Sequence, residues 1–210
     1  MLLEKFKDLS FLIYGLGITG KSVINFFDKN NIKNYKVWDD HNKFLYKKKR
    51  PANLNKTFKE VNYIILSPGI SLFKLKNKTL KKYKNKIITD IDIIFLLQKN
   101  FKSILVTGTN GKSTTCKIIS HILKKRGFKT YLGGNIGTPI LNSKIKQNSF
   151  LIIEVSSFQL AYSKFIRPDY AFLLNVTNDH LDWHGSYRNY LNSKMRIFEN
   201  QKKKPICYCQ

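Results

Sequence analysis

Short runs of apolar residues rich in Ile, Val, Tyr and Phe recur along the chain. Each gives way to a glycine or polar turn and then to a stretch with helical apolar spacing. This βαβ rhythm predicts strands over residues 10–14, 35–38, 63–66, 86–88, 103–107, 130–132, 150–155 and 171–176. The runs are almost continuously apolar rather than alternating, which is the signature of strands covered on both faces of a parallel sheet. A helix over 20–29 would turn Val23, Ile24, Phe26 and Phe27 inward. Another over 112–125 would carry Cys116, Ile119, Ile122 and Leu123 as one stripe and end at a Gly127 cap. A short helix over 90–98 comes before a fresh strand with its own phosphate-type loop, so a domain boundary is expected near residue 99. The predicted fold class is α/β: a Rossmann-like domain over 1–99, then a P-loop-type domain with a mainly parallel sheet over 100–210.

Composition changes this picture only at its margins. The 210 residues carry 38 Lys and Arg against 13 Asp and Glu, a formal charge of +25, which raises nucleic acid or an anionic membrane as a partner. Residues 1–100 hold 21 basic and 8 acidic side chains and the remainder 17 and 5, so the two parts carry +13 and +12. The excess is spread evenly, in runs such as 47–50, 74–86 and 202–204, and reads as compositional bias rather than a binding face. No window approaches the ~18 apolar residues of a membrane span, and the first eight residues include Glu4 and Asp8 with no signal-peptide core. A cytoplasmic, monomeric protein with neither nucleic acid nor membrane as partner is expected. Cys116, Cys207 and Cys209 are read as reduced thiols and assigned no chemistry.

Candidate chemistry sits at the strand ends. Gly15-Leu-Gly17-Ile-Thr-Gly20 follows a predicted strand, opens a predicted helix and has G-x-G-x-x-G spacing. Such a loop brings backbone N–H groups and a helix N-terminus to a phosphate, and Asp39, ending the next strand, stands where a ribose hydroxyl would be held. Ser67-Pro68-Gly69-Ile70 closes a third strand at the same edge. These features alone leave a nicotinamide or flavin dinucleotide, another nucleotide-type ligand, or a structural turn open. The segment Thr107-Gly108-Thr109-Asn110-Gly111-Lys112-Ser113-Thr114 lies between a strand and a long helix. Its amides can cradle phosphates, Lys112 can neutralise them and Ser113 can ligate Mg²⁺, although Val106 stands where the usual pattern has glycine. Three further strings lie at predicted strand ends: 133–139 with Asn135, 154–159 with Glu154, and 175–182 with His180. Taken singly, Glu154 reads equally well as a surface acid and His180 as a hydrogen-bonded loop histidine.

Together these strings resemble the Mur ligases, ATP-dependent amide-forming enzymes that build the peptide stem of cell-wall precursors. Gly108 to Thr114 is similar to that family's ATP loop. The combination of Gly-Leu-Gly-Ile-Thr-Gly, Ser-Pro-Gly-Ile, Gly-Gly-Asn-Ile-Gly, Glu-Val-Ser-Ser-Phe-Gln and Asn-Asp-His-Leu-Asp is most similar to the branch that adds D-glutamate to UDP-N-acetylmuramoyl-L-alanine. The resemblance implies that Ile18, Thr19, Asp39 and Gly69 contact the UDP part, and that Asn135 and His180 contact the sugar-linked substrate. It further implies that Lys112 grips ATP phosphates and Ser113 one Mg²⁺, while Glu154, His180 and a carbamylated Lys194, in a predicted helix over 187–200, hold a second. The substrate carboxylate would form an acyl phosphate that the D-glutamate amine then attacks. Asp40 and His41 stand where the nearest relatives often have Thr and Arg, so the arginine contact to the UDP part is absent or replaced. Relatives run to about twice this length. The chain is therefore expected to be a fragment, ending in a strand over 205–209 with an unpaired apolar sheet edge and lacking the amino-acid-binding domain. It is not expected to be a competent ligase alone. Rival readings are a nicotinamide-dependent oxidoreductase, a basic P-loop NTPase acting on nucleic acid, and a non-catalytic UDP-sugar-binding remnant.

Overall fold

The computed structural model describes residues 2–42, 44–74, 78–97, 100–135, 139–143 and 145–201. The predicted end of the helix at Gln98, the boundary near 99, Ile136 to Thr138 of the third motif, Cys207, Cys209 and the strand over 205–209 lie outside the described residues. The elements run α1 (Leu2–Lys7), β1 (Phe11–Tyr14), α2 (Ile18–Lys29), β2 (Tyr35–Trp38), α3 (Leu54–Glu60), β3 (Tyr63–Leu66), α4 (Lys78–Lys82), β4 (Ile87–Ile88) and α5 (Asp90–Leu96). They continue with β5 (Phe101–Thr107), α6 (Lys112–Lys125), β6 (Thr130–Gly134), β7 (Ser149–Glu154), α7 (Ser157–Tyr162), β8 (Tyr170–Leu173), α8 (Leu181–His184) and α9 (Tyr187–Met195). Short 3₁₀ turns follow α9 at Arg196–Phe198 and precede β7 at Ile140–Asn142.

The strands form two four-stranded sheets, β2-β1-β3-β4 and β6-β7-β5-β8, and every pairing is parallel. All carboxyl ends of a sheet therefore lie at one edge, where ligands of open α/β sheets bind. The α/β class read from the apolar runs is what the molecule shows, and burial on both faces holds for the inner strands β1, β3, β5 and β7, whereas β2, β6 and β8 at the sheet edges are only partly covered. Phe11 and Ile13 of β1 pack into one core cluster with Phe27, Ile91, Leu105 and Leu151, while Leu12 and Tyr14 pack into another with Phe58 and Ile64. The first cluster spans both sheets, so α5 and the strands on either side of it share one core. Its aromatic centre is dense, with ring centroids 4.8 Å apart for Phe6–Phe11 and 5.0 Å for Phe11–Phe27.

The helices differ from expectation in detail. In α6, Cys116 is buried and Ile119 and Leu123 pack beneath it against Ile104, Val106 and Ile152, but Ile122 is 53% exposed. The predicted stripe is narrower by that residue, because α6 covers one sheet face and turns its other side outward. Gly127 adopts φ 81° and donates to the Lys124 carbonyl, ending the helix as its cap position requires. The helix begun at Tyr187 stops at Met195 and tightens into the 3₁₀ turn.

Candidate functional site

The phosphate-type loop leaves β5 at Thr107 and enters α6 at Lys112. Asn175, just beyond β8, clasps it. Its Oδ1 accepts from the Thr109 and Asn110 amides at 3.1 and 2.9 Å, and its Nδ2 donates to the Asn110 carbonyl. Thr109 Oγ1 shares a 2.9 Å hydrogen bond with the Tyr190 hydroxyl of α9. Lys112 folds over the loop and donates to the Gly108 and Thr109 carbonyls at 2.9 and 2.6 Å. The position occupied by Val106 is simply the buried interior of β5, paired in register with Glu154 of β7.

That register brings Glu154 beside the start of α6. Its Oε2 accepts from Ser113 Oγ at 2.6 Å, and its Oε1 accepts from Asn135 Nδ2 at 3.2 Å. Glu154 is buried, so neither hydrogen bond competes freely with water. On α9, Lys194 is 2% exposed and donates to the Gly108 carbonyl at 2.7 Å, the same oxygen that Lys112 uses. Burial, reinforced by the nearby Lys112 ammonium and partly opposed by Asp179, brings the Lys194 amine down to about 8. His180 takes the left-handed conformation at φ 51°, rare for a non-glycine residue, and packs against Phe158 with ring centroids 4.7 Å apart and planes tilted by 48°. Its Nδ1 lies 3.3 Å from Asp179. Among the described residues no cluster of three or more His, Cys, Asp and Glu side chains is poised for a metal. The candidate set has two such residues, Glu154 and His180, and draws the rest from a hydroxyl and an amine.

A cleft of about 1060 Å³ runs along the strand ends of the first sheet and reaches the second. Ile18, Thr19, Asp39, Gly69 and Asn135 all line it, whereas His180 does not. The glycines of the first loop have separate reasons. A Cβ at Gly15, where φ is 100°, would come within 2.7 Å of Ser67, and one at Gly20 would collide with the Gly15 carbonyl. At Gly17 it would meet nothing, so only there does the bare backbone stand open to the cleft. Asp39 is buried, and its carboxylate is taken up by the chain itself. Oδ2 accepts from the Leu16 amide at 2.7 Å, and Oδ1 accepts from the His41 and Asn42 amides and from Asn42 Nδ2. Burial raises this carboxyl, but those hydrogen bonds outweigh it and hold it below its ordinary value. Its evident work is to fasten the Gly15–Gly20 loop to the end of β2.

Several contacts at and beside the cleft join positions far apart in the chain. Ser71 Oγ donates to the Trp183 carbonyl at 2.7 Å, Leu72 N donates to the Tyr162 hydroxyl, and Lys74 pairs with Asp182 at 2.8 Å. Gln159, which completes a capping box with Ser156, donates to Asp90 Oδ1. Gln159, Asn175 and Asp182 fall within the strings quoted above, whereas Ser71, Leu72, Lys74 and Tyr162 belong to none of them.

The sequence profile of the Mur ligase middle domain matches residues 106–209. The UDP-N-acetylmuramoylalanine–D-glutamate ligase of Wolbachia pipientis wMel is 39% identical over 218 residues, covering 96% of this chain and 41% of that protein. The ligase of the same name from Buchnera aphidicola subsp. Schizaphis graminum is 38% identical, covering 91% of this chain and 45% of that protein. The chain thus spans less than half the length of these curated relatives. Among solved structures, UDP-N-acetylmuramate:L-alanyl-gamma-D-glutamyl-meso-diaminopimelate ligase from Neisseria meningitides superposes with a TM-score of 0.50 at 13% identity. It covers 93% of this chain and 69% of that one, a likeness of fold alone. No helix of the described residues is long and apolar enough to cross a membrane. With a profile match running from inside β5 to beyond α9, and relatives of one name aligned over more than nine-tenths of its sequence, the chain belongs to the Mur ligase family.

Proposed function

We propose that the chain supplies the two nucleotide-handling parts of an ATP- and Mg²⁺-dependent ligase. The ligase joins D-glutamate to the L-alanine carboxylate of UDP-N-acetylmuramoyl-L-alanine in peptidoglycan precursor synthesis. In this reading residues 1–99 hold the UDP part and residues 100–210 the ATP phosphates. The observation that carries it is a continuous path from cleft to loop: Asn135 lines the cleft and donates to Glu154, and Glu154 accepts from Ser113 of the phosphate loop. A substrate lying along the cleft meets, at Asn135, a residue bonded to the ATP side.

The residues present suit the metal. A hydroxyl and a carboxylate in contact are hard oxygen donors of the kind Mg²⁺ prefers, and Thr107 Oγ1, buried at the base of the loop, lacks a hydrogen-bond partner among the described residues. Ser113 would hold one ion, and Glu154, His180 and a carbamate on Lys194 a second. Bound Mg²⁺ would neutralise phosphate charge and polarise the phosphoryl group. Lys112, poised over the loop carbonyls, would transfer its hydrogen bonds to the phosphates. Lys194, with its amine pulled down to about 8, has the neutral fraction that carbamylation needs. The carboxylate of L-alanine would displace ADP from the γ-phosphoryl group to give an acyl phosphate. The amine of D-glutamate would then displace inorganic phosphate, so no side-chain nucleophile is required.

Calorimetric titration tests the reading. UDP-N-acetylmuramoyl-L-alanine and a magnesium complex of a non-hydrolysable ATP analogue should each bind saturably, and Lys112→Ala should abolish the second while sparing the first. Binding of NADH or duplex DNA in place of the UDP compound would overturn it.

A further inference from the structure

The cleft is lined by four carboxylates, Asp39, Asp40, Asp90 and Asp182, but among the described residues by a single Lys or Arg side chain, Lys74. The carboxylates near the first loop are already satisfied. Asp39 is filled by the amides of residues 16, 41 and 42, and Asp40 accepts from the Tyr14 hydroxyl and from Trp38 Nε1. The arginine that the resemblance leads one to expect at position 41 is a histidine. Among the described residues an anionic ligand entering this cleft therefore meets the open backbone at Gly17 and Gly69, the N-terminus of the twelve-residue α2, and one ammonium.

Lys74 is placed by a braced turn and held by a weak partner. Ser71 Oγ accepts from the Phe73 and Lys74 amides and donates to the Trp183 carbonyl, so the turn is tied to the far wall of the cleft. Among the described residues the ammonium pairs with Asp182 alone, at 2.8 Å, with side chains 55% and 75% exposed. An ion pair this exposed is readily traded for another anion, and the aspartate left behind is returned to water at little cost.

We propose that Lys74 is the diphosphate-recognising cation of the cleft and that Asp182 is the counter-ion it gives up when the ligand binds. The proposal rests on the reading above that the cleft takes a nucleoside diphosphate. It has a consequence that a purely structural ion pair lacks: removing the cation and removing its counter-ion act in opposite directions. Loss of the ammonium forfeits a charge-assisted contact, whereas loss of the aspartate leaves the ammonium free for the ligand.

The test is titration of the whole chain with UDP, followed by calorimetry, and with uridine, followed by NMR shifts. Lys74→Ala should weaken UDP binding about tenfold, the scale of one charge-assisted hydrogen bond, and leave uridine binding unchanged. Asp182→Asn should tighten UDP binding about twofold to fivefold, the scale of an exposed ion pair, with uridine again unchanged. Uridine serves as the check that each variant is folded. Parallel weakening of UDP by both substitutions, or no effect of either, overturns the role of Lys74 and leaves the function standing. A wild-type chain that binds neither UDP nor the UDP-linked substrate overturns the proposed function, and this inference with it.

Discussion

Asp90 begins α5, is 4% exposed and lines the cleft, with Oδ1 accepting from Gln159 Nε2 at 3.2 Å. Burial pushes its carboxyl up to about 6 against the ordinary 3.8. Hydrogen bonds from Gln159 and the Ile91 backbone restrain the rise, and the neighbouring Asp92 adds to it. At about 1.4 kcal/mol for each pH unit, a difference of this size is at most about 3 kcal/mol. Its sign follows from proton binding. Between 3.8 and about 6 the native chain keeps a proton that the unfolded chain has released, so this contribution is full below 3.8 and lost as pH rises through about 6. Asp90→Asn retains an acceptor for Gln159 and removes the charge. The variant should match the wild type at pH 4 and exceed it by about 1 to 3 kcal/mol at pH 7.5, the lower figure allowing for the weaker amide acceptor. Urea unfolding of both chains at pH 4, 5, 6 and 7.5 measures the difference. A gap that does not change with pH, or a variant less stable than the wild type at pH 7.5, would show that hydrogen bonds to the carboxylate outweigh its burial.

Two further predictions concern the joint between α7, α8 and α9 and the phosphate loop. His184 is buried between Ser157 and Ser193, and burial, with the positive charge of His180 and Lys194 adding to it, lowers its imidazole to about 4. Its contribution is present above 6.5 and lost as pH falls from there toward 4, opposite in sign to that of Asp90, so His184→Gln should flatten the acid limb of the stability profile. Ser193 Oγ donates to the Asn189 carbonyl, which leaves His184 Nδ1–H as donor to Ser193 and Nε2 as acceptor from Ser157. Nitrogen-15 shifts should report that tautomer, and the reverse pattern would refute the network. Asn175→Ala removes the side-chain acceptor of the Asn110 amide, while the Thr109 amide keeps the Asn175 carbonyl at 3.0 Å, so the cost at this exposed loop is about 0.5 to 1.5 kcal/mol. Hydrogen exchange at the Asn110 amide should quicken while β1 to β3 stay protected, and unchanged exchange there would show that the loop holds itself.

What the sequence made legible, and what it concealed, divides along one physical line. A strand buried on both faces announces itself through its own residues, and so β1, β3, β5 and β7 are readable as runs of Ile, Leu, Val and Phe. Their ends are less so. Lys86 falls outside β4 because its N–H closes a 3₁₀ turn on the Tyr83 carbonyl, and β8 stops at Leu173 because Asn175 and Thr177 are engaged with the loop at Thr109. The site follows the same rule. Glu154 and Ser113 are each visible as a polar residue beside a strand end. Their contact depends on β7 lying next to β5, with Glu154 in register with Val106, and nothing local encodes that neighbourhood. Asp39 marks the reverse case, a residue whose place is legible and whose occupation is not, because the amides that fill its carboxylate come from a loop 23 residues earlier and a turn just after it. The pairing of Lys74 with Asp182, 108 residues apart, lies furthest from view, since Asp182 ends a legible string while Lys74 sits in an exposed turn that belongs to none. Their nearness emerges only when the walls of the cleft are seen together.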